Sequence, residues 1–211
     1  MENMYKSIKT MNIRLTQIYA ESLNVTLIPL FKLLFTQEWA GEKNFVDKVF
    51  SMVDDDASEM RYLETTNLSI MLENLYIHII SCYYARFFSL KDKIKSRDMR
   101  YSYSNKAISE MDAITESADL EGDAKNYITF IGKSFKCFMN ILQINDINML
   151  YIELQDSEKY LCVFPPDFIE HALSIKGDLS NNEIKECVRV LRYDKSDEKI
   201  NAFVNLIKKN M

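Results

Sequence analysis

The stretch that decides the fold runs from Leu68 to Leu90 and reads LSIMLENLYIHIISCYYARFFSL. Its apolar residues recur at helical spacing along one face and then extend around almost the whole circumference. They are Leu68, Leu72, Leu75, Ile79 and Cys82 on one face, and Tyr76, Tyr83 and Phe87 beside it. A helix that is apolar on all sides is usually the one against which the others pack. We therefore predict a central helix that begins after Asp56 and reaches Lys91.

The preceding segment predicts a first helix from about Tyr5 to Trp39. Four of its apolar residues share one face: Ile8, Met11, Leu15 and Ile18. Pro29 lacks a backbone donor and crowds the preceding turn, so we expect a kink or a break there. A short helix is predicted over Phe45 to Val53.

Three consecutive acids, Asp54, Asp55 and Asp56, follow that short helix. They resemble a metal site, but Asp56 with Glu59 also forms the capping-box pattern of a helix start. Acidic side chains at a helix start are stabilised by the helix dipole. We interpret the three acids as the beginning of the central helix and expect no metal there.

Two helices are predicted after the central one, over Asn105 to Leu120 and over Asp123 to Gln143, with a linker at Ser96 to Tyr103 before them. The second of these helices has the clearest amphipathic pattern in the chain. Its apolar stripe consists of Ile128, Ile131, Phe135, Phe138 and Leu142.

The pattern changes after Asn145. Two short apolar segments, Leu150 to Leu154 and Tyr160 to Phe164, flank the polar stretch Gln155 to Lys159 and predict a β-hairpin. Pro166 is suited to begin a short helix through Ala172.

Two further helices are predicted near the end. Ser180 and Glu183 form a capping box for the first, and the last covers about Asp197 to Lys209. The predicted fold is mostly α: a helical bundle in residues 1–144, then a hairpin with short helices in residues 145–211. This α+β tail either forms a small subdomain or packs into the same domain.

Composition limits the function classes. The net charge is −5, so no overall positive field is present to attract nucleic acid or an anionic membrane. The four cysteines form no CxxC pair and indicate buried thiols in a reducing compartment, with disulfides as the alternative. No leader peptide and no span of about 20 apolar residues is evident. We expect a soluble, cytoplasmic protein without a membrane span.

The sequence contains no recognisable catalytic, metal or nucleotide motif. Gly132-Lys133-Ser134 imitates the end of a phosphate-binding loop, but position 127, where that motif needs glycine, is Tyr127. His78 lies in an apolar helical stretch and His171 follows Glu170 directly, so neither predicts a catalytic pair. We expect no cofactor and no bound metal.

One segment stands out by its charge, a basic stretch next to tyrosines that is followed by an acidic block. Basic groups beside aromatic rings can hold phosphates and stack on bases, but a helix end also collects them. The candidate contact residues for a partner or a phosphate are Lys91, Lys93, Lys95, Arg97, Arg100, Tyr101, Tyr103 and Lys106. The acidic residues after them are Glu110, Asp112, Glu116, Asp119, Glu121 and Asp123.

These observations favour a non-enzymatic protein-binding module: an adaptor, inhibitor or immunity-type protein that masks a partner, which itself could be basic. The alternative is a nucleic-acid-associated regulator or defence effector that uses the Lys91 to Lys106 segment. A third class is an enzyme of unrecognised type, with groups that meet only in space. Formation of homo-oligomers is left open.

Overall fold

The computed structural model describes residues 2–58, 65–90, 94, 96–193 and 196–211, without the side chains of residues 2–6, 8, 9, 12, 13, 23, 24, 54–58, 65 and 66. Helices are the only regular elements in these ranges. In chain order they are α1 (Glu2–Phe31), α2 (Gln37–Gly41), α3 (Phe45–Ser58), α4 (Thr65–Phe88), α5 (Arg97–Ser117), α6 (Gly122–Gln143), α7 (Ile147–Asp156), α8 (Glu158–Leu161), α9 (Pro166–Lys176), α10 (Asn181–Val190) and α11 (Glu198–Asn210).

Helix α4 is the centre of the bundle, as its all-round apolar pattern predicted. It contacts α1 most extensively and also packs against α6, α9 and α11. Tyr83, Tyr84 and Phe87 have no exposed surface. Because neighbours cover several sides of α4, almost every position of its second half must be apolar.

Tyr84 lies where three segments meet around α4. Its ring packs against Phe135 and Phe138 of α6, against Phe164 between α8 and α9, and against Phe203 of α11. The hydroxyl group donates a hydrogen bond to the carbonyl oxygen of Ile131 at 2.9 Å. The α6 stripe predicted from the sequence therefore faces α4.

The predicted β-hairpin is wrong, because most of its residues form helices α7 and α8. The Asp146 side chain accepts hydrogen bonds from the amides of Asn148 and Met149 and so caps a helix start. Leu150 and Leu154, four residues apart, are then both buried. The apolar residues of this segment fit a helix as well as a strand. The prediction from sequence did not consider the helix cap at Asp146.

Two other boundaries also differ from the prediction. The expected linker at Ser96 to Tyr103 belongs to α5, because the Ser96 hydroxyl accepts from the amide of Met99 and caps the helix at that point.

Helix α3 continues through Ser58, so Asp56 lies inside a helix and does not begin the next one. The apolar repeat from Phe45 to Val53 continues into residues that contain no glycine or proline, and nothing ends the helix earlier. Glu59 lies outside the described residues.

The break expected near Pro29 is confirmed. Helix α1 ends at Phe31, and α2 begins after Thr36, whose hydroxyl accepts from the Trp39 amide. Between them Phe35 has a φ of 62°, in the left-handed region that only glycine adopts without cost. Its ring packs against Trp39, Phe87 and Tyr103, which compensates for the backbone conformation.

The late helices follow the prediction closely. Pro166 begins α9, and Gly177 ends it with a φ of 78°. Ser180 and Glu183 form the expected capping box at α10. One hydrophobic core cluster includes side chains from both sides of residue 145, and α6 contacts α7, α8 and α9. The division into residues 1–144 and 145–211, with the second part either a subdomain or packed into the same domain, stays a prediction.

In the part of the chain that the structure describes, no helix is both long and apolar enough to cross a membrane. None of the four cysteines, all of which lie in the described residues, is in a disulfide bond, and three of them, Cys82, Cys137 and Cys187, are buried.

Gly132 allows α5 and α6 to approach closely. This contact explains why a glycine lies in the middle of α6, within the Gly132-Lys133-Ser134 sequence that imitates a phosphate-binding loop. A Cβ at this position would collide with the side-chain methyl of Thr115. Replacing Gly132 by alanine is expected to lower the free energy of unfolding by up to about 2 kcal/mol. Overpacking costs about 1–3 kcal/mol, while the better helix propensity of alanine returns about 1 kcal/mol. Urea unfolding followed by circular dichroism measures the difference.

Thr115→Ser gives the matched background, because it removes the methyl group and keeps the hydroxyl that donates to the carbonyl of Met111. In that background Gly132→Ala is expected to be neutral or stabilising. Equal effects of Gly132→Ala in the presence and in the absence of the Thr115 methyl group would contradict the proposed collision.

Candidate protein-binding surface on the first helix

Helix α1 has two different sides. Its inward side contains Thr16, Ala20, Leu27 and Phe31, all buried, and the helix packs on α4. The spacing of four, seven and four residues places these side chains on one face.

The opposite side of α1 is apolar but exposed. Met11, Leu15, Ile18 and Val25 expose 59%, 55%, 53% and 66% of their surfaces. Their spacing of four, three and seven residues places them on one side of α1, where the exposed Ser22 lies between Ile18 and Val25, and Ile28 extends the group at its edge with 39% exposed. We call these five apolar residues the α1 stripe.

The sequence predicted the face of Met11, Leu15 and Ile18 correctly but not its environment. Ile8, the fourth member of that prediction, has no described side chain. Helical periodicity identifies an apolar face without telling which side the core is on. Single exposed apolar residues are ordinary, whereas a contiguous row indicates an interaction surface.

Near its carboxyl end the α1 stripe leads into a pocket between α1, α4 and α11. This basic pocket has a volume of about 260 Å³. Its residues are Ile28, Phe31 and Lys32 of α1 and the segment after it, Cys82 and Arg86 of α4, and Lys209, Asn210 and Met211 at the end of α11. Ile28 belongs to both the stripe and the pocket, so the two surfaces are continuous.

The charged groups of the basic pocket are mostly positive. Lys209 lies 3.4 Å from Glu21, and both side chains are largely exposed. Arg86 donates from Nη2 to the carbonyl oxygen of Lys32 at 2.9 Å, while its buried Nε has no hydrogen-bond partner. No carboxylate side chain is among the described residues that line the pocket. Lys32 and Arg86 therefore give the side chains of the pocket a positive excess.

Burial changes the titration of two side chains at and near the basic pocket. Burial raises the pKa of the Cys82 thiol to about 12, so the reactive thiolate is scarce at neutral pH. One turn earlier on α4, burial lowers the pKa of His78, and its Nδ1 is buried without a hydrogen-bond partner. Among the described residues, no group of three or more His, Cys, Asp or Glu side chains is arranged to hold a metal ion.

The predicted basic segment is divided by the structure. Lys91, Lys93 and Lys95 lie outside the described residues. Arg97 and Tyr101 are exposed on the first turns of α5. Their role in contacting a partner or a phosphate stays a prediction.

The other three residues of that segment point into the protein. Arg100 is 4% exposed and binds the carboxylate of Asp178 at 3.0 Å and the carbonyl of Lys176 at 3.0 Å. Tyr103 packs against Trp39. Lys106 contacts the carbonyl oxygen of Glu42 and pairs with Glu110. These groups hold helices together, and they do not form one exposed surface with Arg97.

The Arg100 site also contains the fully buried Lys176, whose Nζ lies 2.8 and 2.6 Å from the two carboxylate oxygens of Asp178. Burial lowers the pKa of Lys176, and the Asp178 carboxylate opposes that shift. Two cations thus share one carboxylate near the end of α9. The sequence did not indicate this cluster, because its members come from distant segments.

The acidic block after Lys106 is also divided. Glu110 is buried in a hydrogen-bond network, and Asp112 pairs with Lys136 at 2.5 Å. The remaining acids surround the turn between α5 and α6 and are exposed: Glu116, Asp119, Glu121 and Asp123. The Lys125 ammonium donates to the backbone carbonyls of Thr115 and Ala118 and ties this turn together.

Comparison with known proteins gives a distant likeness. The chain is similar to tumor necrosis factor alpha-induced protein 2 of Mus musculus, at 20% identity over 171 residues, and to the protein of that name in Homo sapiens, at 21% over 171 residues. The alignments cover 81% of this chain but only 24% and 26% of the two relatives. The chain thus spans about a quarter of their length, and the likeness assigns no specific function. No family model and no solved structure matches the chain.

Proposed function

We propose that this chain is a non-enzymatic protein-binding module that covers a segment of a partner protein with the α1 stripe. The observation that carries the proposal is the exposed apolar row on the side of α1 opposite its buried face. Burial of apolar surface is the main favourable contribution to association. A row of Met, Leu, Ile and Val side chains that the fold itself leaves uncovered is suited to that purpose.

Two further features support a binding role. Unpaired apolar surface on a single helix is a familiar docking element, which partners recognise at positions three, four and seven residues apart. Burial also raises the pKa of the Cys82 thiol in the basic pocket to about 12, which makes its nucleophilic thiolate scarce at neutral pH. The role belongs to the class of adaptors, inhibitors and immunity-type proteins.

The test compares three forms of the protein in native extract. The double variant Ile18→Asp, Val25→Asp places two carboxylates in the α1 stripe. Ile152→Asp on α7 is the matched control, because Ile152 has 51% of its surface exposed against 53% for Ile18. Proteins retained at stoichiometric amounts are identified by mass spectrometry, and circular dichroism verifies that all three forms are folded.

We expect a partner that the native chain and Ile152→Asp retain and that the double variant loses. Buried charge without a counter-ion is strongly unfavourable in an interface, so the loss should be nearly complete. If the double variant retains the same proteins in the same amounts, the stripe is not the binding surface. Light scattering on the same three forms would reveal a second copy of the chain as the partner.

A further inference from the structure

We propose that the partner segment is an amphipathic α-helix with acidic side chains at one end, whose apolar face lies on the α1 stripe and whose acidic end reaches the basic pocket. The inference rests on the proposed function and adds the chemistry of the partner. It depends on the continuity of the stripe with a pocket that has a positive excess.

The length and shape of the stripe favour a helix as the occupant. From Met11 to Ile28 it extends along about 26 Å of α1, since each helical residue advances 1.5 Å. The side chains of Met11, Leu15, Ile18 and Val25 lie on one side of α1, and such a helix face can pack against the side-chain ridges of another helix. A partner helix of about 18 residues covers the same length.

Charge complementarity determines the chemistry of one end. Ile28, at the end of the stripe, also lines the pocket that contains Lys32 and Arg86. The described residues that line this pocket contribute no carboxylate side chain. The nearby Glu21 is already paired with Lys209. A partner carboxylate placed here gains two cations, whereas a partner lysine is repelled by them.

A membrane surface fits these observations less well than a helix. Helices that lie on anionic membranes have polar faces rich in Lys and Arg. The described residues beside the stripe instead include one arginine, Arg14, and one glutamate, Glu21. The chain as a whole has a net charge of −5. The protein therefore lacks the general attraction to anionic lipid that such binding needs.

Synthetic peptides of about 18 residues test the inference directly, matched to the stripe length at 1.5 Å per residue. Both peptides have leucines at three- and four-residue spacing, and they differ only in a first turn with two glutamates or two lysines. Fluorescence anisotropy with the full chain is expected to show about tenfold tighter binding of the acidic peptide at low salt. The difference should shrink as salt is added, because screening weakens exposed charge pairs.

Charge reversal at Lys32 assigns the preference to the pocket. Lys32 is exposed, and Lys32→Glu should abolish or invert the preference for the acidic peptide. Lys133→Glu, at an exposed site on α6, makes the same charge change elsewhere and should leave the preference intact. The Ile18→Asp, Val25→Asp variant should weaken binding of both peptides.

The three ways in which the inference can fail are distinguishable. Equal binding of the two peptides, abolished by the stripe variant, overturns the acidic-end inference and leaves the proposed function standing. Absence of peptide binding overturns the helix inference, while the extract experiment still decides the proposed function. The third outcome is that the protein binds neither peptide but sediments with phosphatidylcholine vesicles that contain phosphatidylserine, and that the stripe variant does not. The occupant of the stripe would then be a membrane surface and not a helix.

Discussion

Replacing Tyr84 by alanine is expected to lower the free energy of unfolding by about 4 kcal/mol, within the range measured when buried aromatic side chains are truncated. Its ring joins α4 to α6, to the Phe164 segment and to α11, so the cavity would open among several packed elements. Rings from different helices surround the site and cannot collapse into it without moving their own backbones. Urea unfolding followed by circular dichroism measures the loss.

Tyr84→Phe is the control, since it keeps the ring and removes only the hydrogen bond to the Ile131 carbonyl. That substitution should cost about 1 kcal/mol, the usual net value of one hydrogen bond. A loss of similar size for phenylalanine and alanine would show that ring packing is not what Tyr84 contributes.

Replacing Glu110 by alanine is expected to cost about 3 kcal/mol, because its carboxylate is the common acceptor of a buried network. Trp39 donates from its indole Nε1 to Oε2 at 3.0 Å, and the Tyr83 hydroxyl donates to the same oxygen at 2.8 Å. Lys106 lies 3.4 Å from the other carboxylate oxygen. Alanine leaves the Trp39 and Tyr83 donors buried without this acceptor, and chemical denaturation measures the result.

Glu110→Gln separates hydrogen bonding from charge. Burial raises the pKa of Glu110 above its ordinary 4.5, although the donors from Tyr83, Trp39 and Lys106 oppose the shift. Protonation of Glu110 therefore stabilises the folded state. This stabilisation is complete below pH 4.5 and is lost as the pH rises through the raised pKa of the folded state.

Relative to Glu110→Gln, the native chain should thus lose stability as the pH rises above 4.5. The pH series uses denaturant unfolding of both forms in the same buffers. A native chain that gains stability over the glutamine variant across that range would mean that the pKa is lowered.

Most of the helices could be predicted from sequence because their signals are local. The stripe from Ile128 to Leu142 and the Ser180–Glu183 capping box each lie within one helix, and the structure confirms both. The β-hairpin prediction failed because the apolar residues of α7 fit both a strand and a helix. The deciding contact was the cap from Asp146.

The candidate site could be predicted only in part. Spacing placed Met11, Leu15 and Ile18 on one face, but which face of α1 meets α4 depends on packing with residues far along the chain. The Glu110 network shows the same limit: a buried indole needs an acceptor, yet Trp39 finds it 71 residues away. Among the basic candidates, the inward position of Arg100 depends on Asn145 and Asp178, which no local pattern connects to it.

The turn at Phe35 has a consequence for recognition. Its left-handed backbone is retained by the rings around it, and this turn fixes the direction in which the chain leaves α1. Helix α1 is further held by its buried face on α4. The stripe is therefore preorganised, so the entropy of ordering it is lost during folding and not at the moment of association. A partner meets a rigid surface, and affinity then depends mainly on how well its own segment is ordered beforehand.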